Sequence, residues 1–242
     1  MSNRETFKVL TFNYNGISDH TKKGKMFLST WHSKNPVLII IFLQETHLKF
    51  EAERFIRSDW GFKCFLSGAE TNKNGVAVLF NNIFKHKVLK VVRDPNGCFI
   101  LMDAEFIKKN IFFCKCSVDK PDFFDRLSQE TEHIGNKLII AGGDWNVLLN
   151  TNMDARNYKS VNCPRARRKI IQMMEKHELV DVWHEVYPEK WRYTRRKFNT
   201  TKQGHLDYFL MSEQLFPEIH GIKIHPSYCS DHSIVSRTEN RR

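Results

Sequence analysis

Four carboxylates, an imidazole and two asparagines stand where apolar runs end or inside short polar signatures. Asn13 closes KVLTFN at 8–13, Glu45 closes VLIIIFLQE at 37–45, and Asp144 closes KLIIAGGD at 137–144 with Asn146 two residues on. Asp207 lies in HLDYF at 205–209, and Asp231 and His232 lie in SDHS at 230–233. Mg²⁺ binds one or two carboxylates together with waters and substrate phosphate, which makes Glu45, Asp144 and Asp231 candidate donors to a hard divalent ion. A buried aspartate beside a histidine fixes the imidazole tautomer and raises its pKa, leaving a cation next to a phosphate. Asp207 and His232 are the candidates for that pair. Asp144 and Asn146, on one face of a continuing strand, suit positioning a water for in-line attack. The set points to metal-dependent hydrolysis of a phosphodiester. Each member alone has a duller reading: Asn-Tyr-Asn-Gly as a hairpin turn, Glu45 as a solvated strand-end acid, GGDWN as an Asx turn, and His232 as one of 11 histidines.

The elements that must position these groups are strands. Continuous apolar runs bounded by polar residues fit strands buried on both faces, whose ends bring distant carboxylates to one rim. Between the first two runs, 19–34 reads as a helix with Met26, Phe27, Thr30 and Trp31 on one face. FKCFLS and VAVLF form two short strands; KVLKVV, CFILMDAEF and NIFFCKC follow as an antiparallel meander with DPNG and KKN at the turns. Pro121 to Gly135 reads as a helix, as does Arg165 to Leu179, with Asn162 as N-cap and Pro164 in its first turn. WRYT and HLDYFLM are expected as strands joined by RRKFNTTKQG, and IKIHP and SIVS as the last two. Strand runs with a few interspersed helices fit a layered α/β sandwich.

The 242 residues, 41% of them hydrophobic with 19 phenylalanines, suit one domain spanning 1–242. No run reaches the ~18 apolar residues of a membrane span, and MSNRETFKV lacks a secretory h-region. The expectation is an intracellular protein acting in the nucleus, without a membrane partner, its six cysteines free thiols. Lysine and arginine outnumber aspartate and glutamate 38 to 27, a net charge of +11. Basic charge around an acidic site suggests a polyanionic substrate, since phosphate contacts supply most nonspecific affinity for nucleic acid. Two basic runs stand out: Arg165 to Lys169, and RRKFNTTKQG at 195–204, which carries Arg195, Arg196, Lys197 and Lys202.

Taken in order, LTFNYNG, FLQETHL, GGDWN, HLDYF and SDHS resemble the signatures of the endonuclease/exonuclease/phosphatase superfamily. Among its branches the chain looks most like the endonuclease domain of LINE-type retrotransposons, through QETHL, LVDVWHEVYPEKWRYT, HLDYFLMSEQL and SDHS, over about Val9 to Val235. The resemblance implies a deoxyribonuclease-like, four-layered α/β sandwich of two packed mixed sheets flanked by helices. It also implies a Mg²⁺-dependent endonuclease, with Mn²⁺ able to substitute, that nicks one strand of double-stranded DNA and leaves a 3′-hydroxyl. In that branch the nick primes reverse transcription of element RNA by a reverse transcriptase, both outside this chain. The implied roles are metal ligation for Glu45 with Asn13 and Asp231, water positioning for Asp144 and Asn146, and phosphate stabilisation or protonation for Asp207 and His232. The hairpin at 195–204 would lie against the DNA minor groove. Three residues depart from the pattern: Cys116 where a tyrosine is usual, Arg195 where an aromatic follows Tyr-Thr, and Cys229 before Ser-Asp-His. They keep open an alternative reading, a weakened or inactive DNA-binding remnant of a transposon.

Overall fold

The computed structural model describes residues 6–16, 38–70, 74–81, 87–105, 109–115, 121–134, 138–160, 162–227 and 230–240. The expected helix at 19–34 and positions Cys116 and Cys229 lie outside them. The strands are β1 (Thr6–Asn13), β2 (Leu38–Gln44), β3 (Cys64–Ser67), β4 (Val76–Phe80), β5 (Lys87–Arg93), β6 (Phe99–Glu105), β7 (Lys109–Lys115), β8 (Leu138–Asp144), β9 (Ala155–Arg156), β10 (Leu179–Asp181), β11 (Arg195–Arg196), β12 (Gln203–Gly204), β13 (Asp207–Ser212), β14 (Ile219–His225) and β15 (Ile234–Asn240). They form one six-stranded sheet in the order β14-β15-β1-β2-β4-β3 and a second in the order β10-β13-β8-β7-β6-β5. Both are mixed: β1 runs parallel to β2, and β7 parallel to β8, among antiparallel neighbours.

Period-two alternation divides each central strand between two cores. Phe7 and Val9 of β1, Ile40 and Phe42 of β2, Ile140 of β8, and Phe209 and Met211 of β13 fill the space between the sheets. The alternate residues face outward: Leu10, Phe12, Ile39, Ile41 and Leu43 on the first sheet, Ile139, Ala141, Tyr208 and Leu210 on the second. The outer faces are covered by helices, which is why both sets read as continuous apolar runs. Helix α1 (Glu53–Trp60) covers the first sheet with Ile56 and Trp60, four residues apart on one face, and stops at Gly61 in the left-handed conformation (φ 75°). Helices α2 (Pro121–Ile134) and α4 (Pro164–Lys176) cover the second sheet through Phe124, Leu127, Ala166, Ile170 and Met173. Each such large side chain contributes ~1.5–3 kcal/mol by burial. The two short helices are α3 (Thr151–Asp154) and α5 (Val182–Val186). The result is the four-layered sandwich.

Two local expectations need correction, and one helix was not expected. WRYT is not a strand; pairing begins at β11, where Arg195 meets Gly204 and Arg196 meets Gln203 across the hairpin. Asn162 does not cap α4: Cys163 holds the cap position, while the Asn162 side chain accepts from Leu148 N and donates to Asn146 O. Helix α1 has no counterpart in the pattern reading, which named no element between the second apolar run and FKCFLS. Gly142 is required for packing between the sheets, because a Cβ there would sit 2.4 Å from the Phe209 ring.

Candidate active site

The alternation that fills the inner core also aims the polar residues. Asn13 continues the inward row of Phe7 and Val9, Asp144 the row of Ile140 and Gly142, and Asp207 begins the row of Phe209 and Met211. Register then sets them side by side: Asn13 opposite Gln44, and Asp207 opposite Asp144. All three end up buried at one rim of the sandwich. Asn13 Nδ2 donates to Asp144 Oδ2 at 2.8 Å across the two sheets, and its Oδ1 accepts from Asn15 N. Behind it, the side chains of Thr11 and Gln44 exchange hydrogen bonds at 3.2 and 3.0 Å.

β8 ends at Asp144, so strand alternation does not bring Asn146 alongside it. Asn146 instead adopts a left-handed backbone (φ 52°) that returns both its N–H and its Nδ2 to the Asp144 carboxylate, each at 3.0 Å. Trp145 between them is fully buried, lies nearly parallel to the rings of Phe124 and Tyr208, and donates to Tyr208 O, anchoring the turn. Asp207 holds His232 Nδ1 at 2.8 Å. Nδ1 is thereby the donor, and Nε2 faces Asp144 Oδ2 and Asp231 Oδ1, both 3.9 Å away. That spacing is too long for a hydrogen bond, so neither carboxylate occupies Nε2 as Asp207 occupies Nδ1.

Burial disfavours a charged His232, but Asp207, Asp144 and Asp231 outweigh it and raise its pKa to about 9. Burial likewise pushes Asp144 up to about 6; the His232 charge opposes this, Asp207 and Glu45 add to it, and the hydrogen bond from Asn13 offsets part. At neutral pH the pair is therefore an imidazolium beside a carboxylate that can still accept a proton.

Among the described residues Asp144, Asp207 and His232 form the one group of three potential ligands whose donor atoms lie within 4.8 Å of one another. Glu45 is not part of it. It sits one residue past β2 in a left-handed conformation (φ 51°), partly exposed, with Oε2 3.4 Å from His47 Nε2. Its charge still reaches Asp144. Asp231 is also at the rim, where Arg195 Nε donates to its Oδ2 at 3.1 Å. Glu45, Asp231 and Asn13 offer hard oxygen donors next to Asp144, whose pKa is raised first by burial and then by the neighbouring charges of Asp207 and Glu45. A divalent cation fits that donor set and would relieve the crowding.

Pattern reading missed the residues that hold the loop carrying His232. Thr194 Oγ1 accepts from both Leu206 N and Asp207 N at 2.9 Å, while its carbonyl takes Ser233 N. Ser230 Oγ accepts from His232 N. The start of the hairpin is thus bonded directly to the segment that carries His232. A threonine in WRYT carries no chemical signature that could have marked it. Arg196, Lys197 and Lys202 project from the β11–β12 hairpin as exposed cations, with Phe198 exposed between them. This hairpin pairs with β9 in a three-stranded sheet apart from the two main ones. Tyr158 is half-buried against Gly204, in the field of Arg195 and Asp144; burial is the main cause that raises its pKa.

Residues 10–232 match the Endonuclease/Exonuclease/phosphatase family, and the chain belongs to it. It is accordingly an enzyme of the nuclease or phosphodiesterase type. An uncharacterized 149 kDa protein of transposon TX1 from Xenopus laevis is 28% identical over 216 residues, covering 81% of this chain but 15% of that relative. The chain therefore spans a small part of the larger protein's length. The fold is similar to an AP endonuclease from Leishmania major, with a TM-score of 0.83 and 15% identity over 98% of this chain and 89% of the other. It is also similar to a 3′ phosphatase from Neisseria bound to a product DNA hairpin, with a TM-score of 0.74 and 18% identity over 96% and 98%.

Proposed function

We propose that this chain is a divalent-metal-dependent endonuclease that nicks one strand of double-stranded DNA and leaves a 3′-hydroxyl. The observation that carries this reading is the rim itself: Asp207 grips one nitrogen of His232, and the other nitrogen faces Asp144 at 3.9 Å, without a hydrogen bond to it. Glu45, Asn13 and Asp231 would hold Mg²⁺ or Mn²⁺. The bound ion would supply Lewis-acid polarisation of a phosphate oxygen. Asp144 and Asn146 position the attacking water, the carboxylate being fixed by donors from Asn13 and Asn146. His232, kept protonated by its carboxylates, places positive charge where negative charge develops on the phosphate. Similarity to a transposon protein supports use of the 3′-hydroxyl as primer for a reverse transcriptase copying element RNA, both supplied from outside this chain. The Arg195–Asp231 ion pair favours a second reading, an enzyme whose hold on the metal is weakened.

Relaxation of supercoiled plasmid to open circles tests the reaction: nicking is expected with Mg²⁺ or Mn²⁺ and none with EDTA, and activity persisting in EDTA refutes the mechanism. The hairpin is the proposed duplex contact. Replacing Arg196, Lys197 and Lys202 with alanine should shrink the slope of log affinity for duplex against log salt by roughly 2–3 units. Single-turnover nicking at saturating DNA should survive that change. An unchanged slope moves the contact elsewhere, first to Arg165–Lys169.

A further inference from the structure

A second feature lies where the two sheets present their edges. β14 is the outer strand of the first sheet and β10 of the second, and α5 with the loop after it bridges the gap. Between that loop and β14 runs an open groove of about 500 Å³. Trp183 forms its floor, and Tyr187 packs on Trp183 with ring centroids 4.7 Å apart. Lys190 Nζ lies 4.0 Å over the Tyr187 ring, and Trp191 stands at the mouth with 65% of its surface exposed. Arg192 and Lys223 complete the cationic wall, and among the described residues none that lines the groove is acidic.

We propose that this groove binds single-stranded nucleic acid, stacking a base on Trp191 and placing phosphates on Lys190, Arg192 and Lys223. An exposed indole beside cations offers the two contacts that a single strand needs: a flat apolar face for an unstacked base and charge for its backbone. Duplex offers no such face, because its bases already stack on one another. Covalent continuity ties the groove to the rim. Arg192 O accepts from His205 Nδ1, Thr194 holds Asp207 N, and Arg195 reaches Asp231, so the chain from 192 to 195, directly after Trp191, is a pinned strap. Four extended residues span at most ~14 Å, which places the groove within a few nucleotides of the scissile phosphate. The inference rests on the nuclease reading only for that placement. A displaced DNA strand and an RNA share the required chemistry.

Binding of labelled 12-nucleotide oligo(dT) and oligo(U) to the full chain, followed by anisotropy in EDTA, tests it. Trp191→Ala should weaken binding by about 5- to 150-fold, the range for losing one stacked base. The triple variant K190A/R192A/K223A should flatten the salt slope by about 2 units. Both sets of side chains are at the surface, and metal-dependent plasmid nicking by both variants should stay within about two-fold of the parent. Stronger binding of oligo(U) assigns the groove to RNA, and equal binding to any single strand; either supports the proposal. Oligonucleotides that bind the Trp191→Ala protein as tightly as the parent overturn it. So does their displacement by polyglutamate at equal charge, which would make the groove a site for acidic peptide. A parent that binds through Trp191 but never nicks plasmid refutes the nuclease reading and leaves the groove standing; nicking without Trp191-dependent binding does the reverse.

Discussion

The molecule contains two histidines set between paired aspartates, and they differ in one distance. His232 is held by Asp207 at 2.8 Å on Nδ1, while Nε2 stays 3.9 Å from Asp144. His184 is hydrogen-bonded to Asp181 at 2.7 Å on Nδ1, and its Nε2 is in ion-pair contact with Asp154 Oδ1 at 3.1 Å. Burial opposes charge on both, yet the carboxylates raise His184 to about 10 and His232 to about 9. Similar electrostatics therefore serve different ends. Around His184 both nitrogens are occupied and the carboxylates have structural duties: Asp181 caps α5 through Trp183 N, and Asp154 takes Asn150 N. That arrangement is a clamp joining α3 to α5. Around His232 one nitrogen remains open toward a rim lined by Asp144 and Asp231. Residue types and a shifted pKa do not distinguish a site from a strut; the open donor does.

The largest expected effect attacks the open pair. Asp144→Ala and His232→Ala should each lower plasmid nicking by ~10²–10⁴-fold, the scale of a lost positioned acid or base. Parent-like rates in folded variants would remove the functional half of the comparison. His184→Gln should act in the opposite column, costing about 3 kcal/mol of stability by leaving buried carboxylates uncompensated. Urea unfolding measures the cost, and nicking by the protein that remains folded should be close to that of the parent. A stable variant that has lost nicking would reverse the assignment of strut and site.

Titration sharpens the same contrast. The folded pKa of His184 lies above the ordinary 6.5, so its contribution is whole below that pH and is lost as pH rises toward about 10. The urea midpoint of the parent should fall between pH 7 and 10, and His184→Gln should flatten that fall. An equally steep fall in the variant would show that the clamp is not the titrating element. The smallest effect concerns Arg195. Arg195→Ala releases Asp231, so the Mg²⁺ concentration for half-maximal nicking at saturating DNA should drop about 2- to 5-fold, the worth of a part-exposed ion pair. A higher Mg²⁺ requirement would mean that Arg195 supports the metal side rather than competing with it.

Much of this is legible in the sequence alone. The apolar runs ending in Asn13, Gln44-Glu45 and Asp144 specified strands buried on both faces, because a covered sheet leaves no face that must be polar. The order of the five signatures marked the rim, and Asp207 and His232 do pair. Elements without a chemical signature escaped: α1, whose apolar face is carried by Ile56 and Trp60, and Thr194, whose only role is to accept two backbone N–H groups.

Local pattern determined which residues point into the sandwich, since alternation along a strand is set by backbone geometry within a few residues. It could not determine what meets them there. The Asn13–Asp144 bond joins positions 131 residues apart, and the Asn146 contact depends on a left-handed turn after the strand. Arg195 meeting Asp231, and His184 closing between Asp154 and Asp181 while His232 stays open, depend on how separate loops pack. Differences of less than 1 Å at one nitrogen separate a clamp from a candidate catalytic base or acid, and only the packed tertiary structure fixes distances on that scale.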